Sequence, residues 1–576
     1  MATDTWPADF AAPFEVDTLL EVRVCGMGKM PGLNVPTGID KKTVKGPVRV
    51  TRLGLEGDWH DLTFHGGPDK ALLGYCSSHY PNWAASHPSH HHKFLPGAFG
   101  ENLVTPLMNE RNVCIGDIIA IGPDVQLQVS LPRQPCFKLN HRFSLKNFAP
   151  QTYQTSRTGW YYRVLREGTI QAGDKIRLLE RQFPQWTIER VQEFLHRDKD
   201  NLDMNRLLAG VQALGEETRG QFRGRVARAE KDAKKKEKKN QKTDKRGRWE
   251  DYKIVERRME TKKVVALTLQ RVEETREEDA VEAPKLPLGP GAHARLKLPN
   301  GLIRSYSIVS SKSPGVLELG IALDSNSRGG SQFLHHEAKV NDIIQVGRIT
   351  TDIQADKAAG NHVFIAGGIG ITAFLDLIRH LLSINWSCQL HYAVRSAEEM
   401  PFADRLAALQ QTEGVVTLYD KSRGQVMDIP RIIESMPWNS HIYVCGPTRM
   451  MRAVEQVVRE RQISPAEVHY EAFAADISGP RDPFEVQVVS QAVDQAPRPS
   501  SLLRVGEEES LLEVLRRDYP DMPSSCEVGN CGTCRVVLKS GRVDHRGSAL
   551  LPEEKETTML ACVSRGIGKI SIEVEV

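Results

Sequence analysis

Four cysteines near the carboxyl end of the chain have the type and spacing to hold an iron–sulfur cluster. Cys526, Cys531 and Cys534 follow the pattern C-x4-C-x2-C, and Cys562 lies further along the chain. Cysteine thiolates in this order are the ligands of plant-type 2Fe-2S clusters. Since such a cluster passes single electrons and binds no substrate, the rest of the chain should contain an electron donor and an acceptor.

Two turns upstream have features of a dinucleotide site. The segment HVFIA runs into GGIGIT, residues 367–372, and YVCGP, residues 443–447, ends a second predicted strand. Glycines let a pyrophosphate approach the backbone, and open α/β sheets bind ligands at the carboxyl ends of their strands. A tight turn without a ligand is the alternative for the first segment. The candidate residues are Gly367, Gly368, Gly370, Thr372, Cys445, Gly446 and Pro447.

A third set of residues has the side chains that a flavin mononucleotide needs. Arg304, Tyr306 and Ser307 supply a cation, an aromatic ring and a hydroxyl along one predicted strand. The later turn at Gly329, Gly330 and Ser331 offers backbone N–H groups to a phosphate. A strand with such residues is often structural. Its position before two nucleotide turns and a cluster motif favours the flavin interpretation.

Cys136 is the candidate for chemistry in the amino-terminal half. It follows a proline in LQVSLPRQPCFKLNHR, residues 127–142, where several basic residues lie nearby. A cationic setting favours the thiolate, which is the form that binds metals. A buried structural cysteine is the alternative. Two glycine-rich segments, residues 64–72 and 97–103, could bind a phosphate-bearing cofactor.

Composition limits the class of protein. The chain has 576 residues, a net charge of +3 and ten cysteines. We expect several domains, because one hydrophobic core does not grow to this size. The scattered cysteines outside the cluster motif do not suggest a disulfide framework, and neither a signal peptide nor a membrane span is expected. We therefore expect a cytoplasmic protein.

The basic character of the chain is local. Residues 223–248 contain 13 Lys/Arg and 4 Asp/Glu, so the remainder is net acidic. No aromatic residues alternate with these cations for stacking on bases, so we expect a solvated linker that lets two halves move, and no nucleic-acid partner. The segment HPSHHH, residues 87–92, lacks a helical histidine pair with an acid and is interpreted as a surface loop.

Residues 250–576 resemble the phthalate dioxygenase reductase-like family of the ferredoxin-NADP reductase superfamily. The matching segments are PGAHARLKLPNG, RSYS, RGGS, GGIGIT, YAVRS, CGP, HYEAF and the cysteine motif. The resemblance implies that Arg304 and Ser331 lie near the FMN phosphate, and Tyr306 and Ser307 at the isoalloxazine. It also implies that the two turns line the nicotinamide dinucleotide. NADH is favoured as donor, while Arg395 leaves NADPH open.

Residues 15–225 resemble MOSC (molybdenum cofactor sulfurase C-terminal) domain proteins of the YiiM-like branch. The matching segments are GLEGDWHDLTFHGGPDKAL, HYPNW, GAFGENL, LQVSLPRQPCFKL and TGWYYRVLREGTIQAGD. The resemblance implies that Cys136 binds the molybdenum of a molybdopterin cofactor. The residues implied around the pterin, phosphate or substrate are His65, Gly67, Lys70, Asn102 and Arg133.

Both resemblances together predict a multidomain fold of mixed α+β and α/β class. The expected order is a MOSC β-barrel, a three-helix appendage, a basic linker, an FMN-binding β-barrel, an α/β NAD(P)H-binding domain and a β-grasp 2Fe-2S ferredoxin domain. The expected bounds are 15–182, 183–225, 226–248, 249–350, 351–475 and 484–576.

The predicted function is a self-contained oxidoreductase. Electrons would pass from NADH or NADPH to FMN, to the 2Fe-2S cluster and to molybdenum at Cys136, where a small N-hydroxylated compound is reduced. Two alternatives stay open. The chain could be a reductase component for an external Rieske-type oxygenase, or the MOSC half could carry sulfur as a persulfide on Cys136.

Overall fold

The structure is a computed structural model of the full chain. It describes residues 12–30, 32–59, 66–239, 249–272, 291–311, 313–324, 329–351, 353–471, 473, 481–490, 501–520, 522–524, 527–529, 532–547, 549–550 and 552–574. His65, Cys526 and Cys531, three of the predicted site residues, lie outside these ranges.

The first unit is built on a large mixed sheet. Its strand order is β1-β14-β10-β11-β12-β8-β9-β2-β5, with a second sheet β13-β6-β7 and a hairpin β3-β4. The strands are β1 (Val16–Thr18), β2 (Glu21–Val24), β3 (Gly28–Lys29), β4 (Pro36–Thr37), β5 (Lys42–Thr43), β6 (Val48–Thr51), β7 (Gly54–Leu55), β8 (Leu72–Cys76), β9 (Leu103–Thr105), β10 (Ile118–Ile121), β11 (Val125–Pro132), β12 (Trp160–Arg166), β13 (Gly168–Ile170) and β14 (Lys175–Glu180). The helices are α1 (His79–Ser86), α2 (Phe137–Phe143) and α3 (Phe148–Gln154), with short 3-10 helices at Pro68–Lys70 and Pro88–Lys93.

Three helices pack against this sheet. They are α4 (Ile188–Gln192), which continues as a π-helical turn over Glu193–Arg197, α5 (Leu202–Ala209) and α6 (Glu216–Lys239). Ile188, Leu208 and Phe222 from these helices share one hydrophobic core with the strands. Helix α6 is 24 residues long and contains the first part of the lysine-rich segment, so that part of the expected linker is helical.

The second unit is a closed six-stranded barrel with the strand order β15-β16-β19-β18-β17-β20. Its elements are β15 (Glu250–Thr261), β16 (Val264–Arg271), β17 (Ala292–Lys297), β18 (Ile303–Ser310), β19 (Val316–Ala322), β20 (Ile343–Thr351) and α7 (Gly330–His336). Closure of the sheet leaves no exposed edge strand.

The third unit is a five-stranded parallel sheet with the order β23-β22-β21-β24-β25. Its strands are β21 (Asn361–Gly367), β22 (Cys388–Val394), β23 (Val416–Asp420), β24 (Ser440–Cys445) and β25 (Val468–Glu471). Its helices are α8 (Leu375–Ser383), α9 (Ala403–Gln410), α10 (Ile429–Glu434) and α11 (Thr448–Glu460), with 3-10 helices at Gly368–Ala373, Ala397–Glu399, Lys421–Arg423 and Pro465–Glu467. Strand β21 is fully buried, and after Asn361 and His362 it is continuously apolar, as expected for a central parallel strand.

The fourth unit is a mixed five-stranded sheet with the order β27-β26-β30-β28-β29. Its elements are β26 (Phe484–Ser490), β27 (Ser501–Val505), β28 (Arg535–Asp544), β29 (Thr558–Leu560), β30 (Arg565–Val574), α12 (Leu511–Asp518) and a 3-10 helix at Pro552–Glu556. Ser510 and Glu513 form a capping box that fixes the start of α12.

The predicted fold class is confirmed: mixed α+β and α/β units, including a closed barrel and a parallel sheet, follow one another along the chain. The histidine-rich segment forms a short 3-10 helix with no buried residue, rather than a loop. Among the described residues, no helix is both long and apolar enough to cross a membrane.

Candidate functional site

Cys136 lies where strand β11 ends and helix α2 begins. Its backbone is extended, with φ −125° and ψ 178°, and it is the residue that precedes the first turn of α2. The buried residues Val125, Leu127 and Val129 anchor β11 in the core. Because a strand and a helix hold the two ends of this short loop, the half-buried thiol has a defined position at the wall of a pocket.

The pocket around Cys136 is strongly basic. Four cationic side chains line it, and no acidic residue is among the described residues that do so. All four are at least nine-tenths buried, and long cationic side chains are rarely buried unless they have partners; Lys41 and Lys70 pair with Asp58 and Glu217. These residues are Lys41, Lys70, Arg133 and Lys138. Such a concentration of buried positive charge favours an anionic ligand.

Arg133 has an unsatisfied atom at this pocket. Its Nη1 atom is buried and has no hydrogen-bond partner within the described part of the chain. Its guanidinium lies 5.9 Å from the ring centroid of Phe99, which also lines the pocket. Since an unpaired donor of a buried cation is costly, this atom points to a ligand with oxygen acceptors.

Lys41 and Asn102 belong to a buried network centred on Asp58. The Lys41 ammonium donates to the Asp58 carboxylate at 2.5 Å, and neither side chain is exposed by more than 5%. Asn102 donates its amide N–H groups to Asp58 at 2.8 Å and to the backbone oxygen of Arg23 at 3.1 Å. Its Oδ1 atom accepts from the backbone of Leu73. Asn102 therefore lies at the pocket, and its amide holds the pocket wall by hydrogen bonds to Asp58 and the backbone.

Lys70 reaches the pocket from a 3-10 turn that begins after Gly67. Gly67 has φ +84°, a value that L side chains rarely adopt, so glycine is needed where the chain enters this turn. Gly67 does not line the pocket and acts by placing Lys70. The Lys70 ammonium pairs with Glu217 at the start of helix α6. The three-helix appendage thus contributes directly to the charge of the pocket.

Aromatic side chains form the remaining walls. They are Trp59, Phe99 and Tyr161. Burial raises the pKa of Tyr161, so its phenol stays protonated. A Cβ atom on Gly38 would lie 2.6 Å from the backbone oxygen of Trp59, which means that only glycine lets these two segments approach. Sequence reasoning missed Trp59, Tyr161, Lys41 and Asp58; Asp58 and Trp59 stand inside the segment that carried the MOSC resemblance.

The predicted flavin residues meet at one end of the barrel. A Cβ atom on Gly330 would lie 2.9 Å from Cγ of Arg304, so the glycine turn and the arginine of β18 are in contact. Gly329 has φ +90° and precedes α7. The hydroxyl of Ser331 accepts a hydrogen bond from the backbone of Asp324 at 3.2 Å. The turn and the cation predicted to bind one phosphate are therefore neighbours in space.

Ser307 and Tyr306 lie at the junction with the parallel sheet. The Ser307 hydroxyl donates to Oε1 of Glu471, at the end of β25, at 3.0 Å. Tyr306 is half-buried against the barrel core, and burial raises its pKa to about 12. The predicted flavin-ring contacts are thus close to the carboxyl ends of the parallel strands, where nucleotides bind.

The two nucleotide turns pack against each other. Strands β21 and β24 are paired with Ala366 opposite Cys445, so the turns that follow them are adjacent. A Cβ atom on Gly370 would lie 2.2 Å from the backbone oxygen of Cys445, and one on Gly367 would lie 2.8 Å from Cδ of Pro447. These glycines are needed for close backbone packing. Gly368, with φ +55° and open space around it, faces a free volume.

Two predicted residues of these turns, Thr372 and Cys445, are buried inside the protein. Thr372 is buried, and its methyl group lies 2.6 Å from the Cβ position of Gly320 on the barrel strand β19, so it packs between the units. Cys445 is fully buried, and burial together with Glu471 raises the pKa of its thiol well above the usual range. Cys445 is therefore a neutral thiol beside the turn.

Two of the four predicted cluster ligands are described. The Sγ atoms of Cys534 and Cys562 lie 3.2 Å apart, and both residues are buried. Gly529 has φ +84°, and a Cβ atom there would lie 2.8 Å from Cα of Gly547. Glycine therefore lets the cluster loop pack against the segment at Gly547. Two thiols more than 25 residues apart in the sequence are thus close in space, as ligands of one cluster must be.

The cluster loop also contacts the barrel. Glu527, one residue after Cys526, has φ +57° and accepts from Arg516 of α12 at 2.7 Å. Arg295 of the barrel strand β17 donates to the same Glu527 oxygen at 3.4 Å. Arg295 is largely buried, and burial lowers its pKa. Two arginines from two units thus hold one carboxylate of the cluster loop.

Comparison with protein families divides the chain in the same order. The MOSC domain family matches residues 61–177, and the YiiM-like, 3-alpha helix domain family matches residues 186–229. The oxidoreductase NAD-binding domain family matches residues 364–456, and the 2Fe-2S iron-sulfur cluster binding domain family matches residues 498–565.

Individual relatives include proteins similar to the whole chain and to its second half. A protein described as "Reductase" from Gibberella moniliformis is 36% identical over 97% of this chain and 95% of its own length. The phthalate 4,5-dioxygenase oxygenase reductase subunit of Pseudomonas putida is 33% identical over 48% of this chain and 83% of its own length.

Two solved structures are similar to separate parts. Phthalate dioxygenase reductase is 28% identical, with a TM-score of 0.44, over 57% of this chain and 98% of its own. YiiM from Geobacillus stearothermophilus is 31% identical, with a TM-score of 0.32, over 36% of this chain and 99% of its own. From the family matches and the two relatives, the chain belongs to the phthalate dioxygenase reductase-like oxidoreductases with NAD-binding and 2Fe-2S domains, here preceded by MOSC and YiiM-like three-helix domains.

Proposed function

We propose that this protein is a self-contained molybdenum reductase, in which NAD(P)H, a flavin mononucleotide and the 2Fe-2S cluster supply electrons to a molybdopterin cofactor held at Cys136. The proposed substrates are small N-hydroxylated compounds such as hydroxylamines and amidoximes. The observation that carries the proposal is the buried cationic pocket at Cys136, with its unsatisfied Arg133 donor, in the same chain as NAD-binding and 2Fe-2S domains.

The residues of the pocket fit a molybdopterin cofactor. A thiol in the short loop between β11 and α2 suits a soft metal ligand, and Arg133 with the three lysines suits a phosphate. Trp59, Phe99 and Tyr161 offer flat surfaces to a ring system. When bound, molybdenum can take up the oxygen of an N–O bond while it changes oxidation state. The protein's own part is to bind the anionic group, to exclude water and to keep the thiol in place.

A flavin is the group that suits the position between NAD(P)H and the cluster. NAD(P)H gives two electrons together as hydride, whereas the cluster accepts one, and flavins exchange electrons in both ways. Contact between Arg304 and the turn at Gly330 supports a phosphate site there. Tyr306 and Ser307 would hold the ring at the junction with the parallel sheet. We propose FMN, because the described residues of the site form one phosphate cradle, at Arg304 and Gly330.

NADH is the proposed donor. Arg395, the candidate for recognition of a 2′-phosphate, follows β22, is 74% exposed and lies 3.8 Å from the carboxylate of Glu399. Residues 396–404, which follow it, contain three acidic residues and no Arg or Lys, a charge pattern that is unfavourable for a 2′-phosphate. We therefore expect NADH to be used at lower concentration than NADPH.

The test is the reduction of an aromatic hydroxylamine by the purified full-length protein with NADH and no added protein, under anaerobic conditions. The proposal predicts amine formation in step with NADH oxidation. NADH oxidation only when an external acceptor is supplied would contradict it.

A second candidate function has one observation in its favour. Several relatives of the second half are described as reductase subunits of oxygenases, including the carnitine monooxygenase reductase subunit of Escherichia coli, 32% identical over 48% of this chain. In this alternative the electrons leave the chain for a separate oxygenase. Cytochrome c reduction would occur in both cases, but hydroxylamine reduction only in the first.

The Arg295 contact gives a prediction about electron transfer within the chain. Arg295→Ala removes the barrel's hold on Glu527, so the cluster loop loses its fixed position against the flavin barrel. Because the rate of electron transfer falls steeply as the distance between the two centres grows, we expect cluster reduction by NADH to slow measurably. Flavin reduction should stay unchanged in stopped-flow absorbance.

Lys297→Ala is the matched control, since Lys297 is an exposed cation two residues along the same strand. It should behave as wild type. Equal rates of cluster reduction in Arg295→Ala and wild type would show that this contact does not position the cluster loop.

A further inference from the structure

The two halves of the chain touch at the amino ends of the parallel strands. The contact residues on the sheet directly precede β21 to β25 in sequence: Ala358, Trp386, Glu413, Trp438 and Glu467. The nucleotide turns follow the carboxyl ends of the same strands. Strand β21 has seven residues, so the two ends are about 20 Å apart. The contact therefore leaves the nucleotide turns free.

On the other side, the contact is made mainly by two elements next to Cys136. One is the hairpin of β3 and β4, described over residues 28–30 and 32–37, and the other is helix α2; Lys146 follows α2 in the chain. Asn385 donates to the backbone oxygen of Pro36 at 3.5 Å, and Asn140 of α2 donates to the backbone oxygen of Ala358 at 3.3 Å. The hairpin thus lies between the pocket and the NAD-binding domain.

Trp386 is one of the two tryptophans in this contact, and it packs against side chains of both halves. Its ring lies 5.8 Å from that of Phe137, at an angle of 67°. The ring of His362 stacks on it at 5.4 Å and 6°, and Trp386 also packs against the core of the NAD-binding sheet. Trp386, Cys136 and Ile39 pack against one apolar cluster formed by Met30, Leu33, Val35 and Phe137. The residue next to Cys136 is therefore held by a side chain of the other half.

The hairpin is also the wall of the pocket. Thr37, Gly38 and Ile39, at its end, line the pocket together with Cys136. Lys138, another lining residue, donates to the backbone oxygen of Pro36 at 3.3 Å. A packing contact that fixes Pro36 and Phe137 therefore fixes both the wall of the pocket and the thiol of Cys136.

We propose that the amino edge of the NAD-binding sheet is a structural part of the Cys136 pocket, and that Trp386 is the positioning residue that keeps the hairpin and Phe137 closed over it. The reductase half then has a second role besides electron supply, which is to complete the site that uses the electrons. The chemical meaning rests on the proposed function, but the closure itself concerns only this chain's residues.

Apolar packing, more than charge, should hold this contact. Among the described residues, two ion pairs cross the contact: in Lys29–Glu413, at 3.1 Å, the side chains are 64% and 90% exposed, and in Lys146–Glu467 they are 51% and 24% exposed. Exposed pairs contribute little, whereas buried tryptophans dominate the energy of many interfaces. The contact between the two halves should accordingly persist at high salt, and it should depend on the indole ring of Trp386.

The test measures how fast iodoacetamide alkylates Cys136 in the full-length protein, purified from cells grown without molybdate. Peptide mass spectrometry reads the modification at Cys136 and, as an internal reference, at the buried Cys114. We expect Trp386→Ala to raise the Cys136 rate at least ~10-fold, with Cys114 unchanged. Trp386→Phe, which keeps a ring against Phe137, should restore most of the protection.

Tyr419→Ala is the matched control, because it removes a half-buried aromatic ring of the same domain that contacts His391. It should leave the Cys136 rate at the wild-type value. Two results would overturn the proposal: an unchanged rate in Trp386→Ala, or a rise shared equally by Cys114, which would indicate general unfolding. Neither depends on hydroxylamine reduction, so failure here is distinct from failure of the proposed function.

Discussion

Replacing Cys136 with alanine is expected to abolish the NADH-driven reduction of a hydroxylamine and to leave the reduction of cytochrome c intact. Among the described residues that line the basic pocket, Cys136 is the only one with a thiol or imidazole side chain, whereas cytochrome c needs only the flavin and the cluster. Loss of partners that merely orient metal ligands costs 10–100-fold, so loss of the ligand itself should exceed ~100-fold. Amine formation and cytochrome c absorbance are the two measurements.

Cys114→Ala is the matched control for this variant. Cys114 is a buried cysteine of the same unit, and its Sγ atom lies 3.6 Å from the backbone oxygen of Pro184, outside the Cys136 pocket. Cys114→Ala should lower the free energy of unfolding slightly and leave hydroxylamine reduction and cytochrome c reduction unchanged. Full hydroxylamine reduction in Cys136→Ala would exclude molybdenum at this thiol, and the oxygenase-reductase interpretation would then take its place.

The second large effect is expected from Cys534→Ser. Cys534 is buried 3.2 Å from Cys562, so the variant removes one of two thiols that meet at the cluster. We expect the cluster absorbance to disappear and cytochrome c reduction to fall at least ~10-fold. Reduction of the flavin by NADH should continue, because the nucleotide turns and the barrel residues are on other units.

Circular dichroism should show that Cys534→Ser is folded. Should a folded variant also fail to reduce its flavin with NADH, the proposed order of the centres would be wrong. Val528→Ala, a change in the same loop that keeps all four cysteines, serves as the control and should retain the cluster.

Much of the fold could be predicted because the patterns are local. The alternation of apolar residues in β11 and the apolar run of β21 are visible in the sequence, and both form the predicted strands. The same holds for the cysteine spacing, which the 2Fe-2S domain family matches. Helix α6 extends far into the lysine-rich segment because it continues a helix already anchored by Phe222 in the core.

The candidate pocket could be predicted only in part. Lys70, Asn102, Arg133 and Cys136 are brought together as expected, while the roles assigned to them stay proposals. Lys41 was missed because it lies outside the segments that carried the resemblance. Tyr161 was missed although it stands inside TGWYYRVLREGTIQAGD, because its place at the pocket depends on the order of strands in the nine-stranded sheet. Asn102 was expected near the ligand, but its amide N–H groups donate hydrogen bonds to Asp58 and to the backbone oxygen of Arg23.

The contact between the halves had no signal in the sequence. We expected a linker that lets the halves move, yet Trp386 and the hairpin at residues 28–37 pack together across more than 340 positions. Trp386 follows α8 in an ordinary position of a βαβ unit, and nothing in its surroundings distinguishes it from a core residue. Interfaces between units depend on shape and cannot be derived from periodicity.

The central claim is that one chain holds the whole route from NAD(P)H to molybdenum at Cys136. Its most direct test is the content of molybdenum, iron and flavin per chain in the wild type and in Cys136→Ala, both purified from cells that make molybdopterin. We predict about one molybdenum, about two irons and about one FMN in the wild type, and the same iron and FMN without molybdenum in the variant. A wild-type protein with full iron and flavin but no molybdenum, or a variant that keeps its molybdenum, would contradict the account.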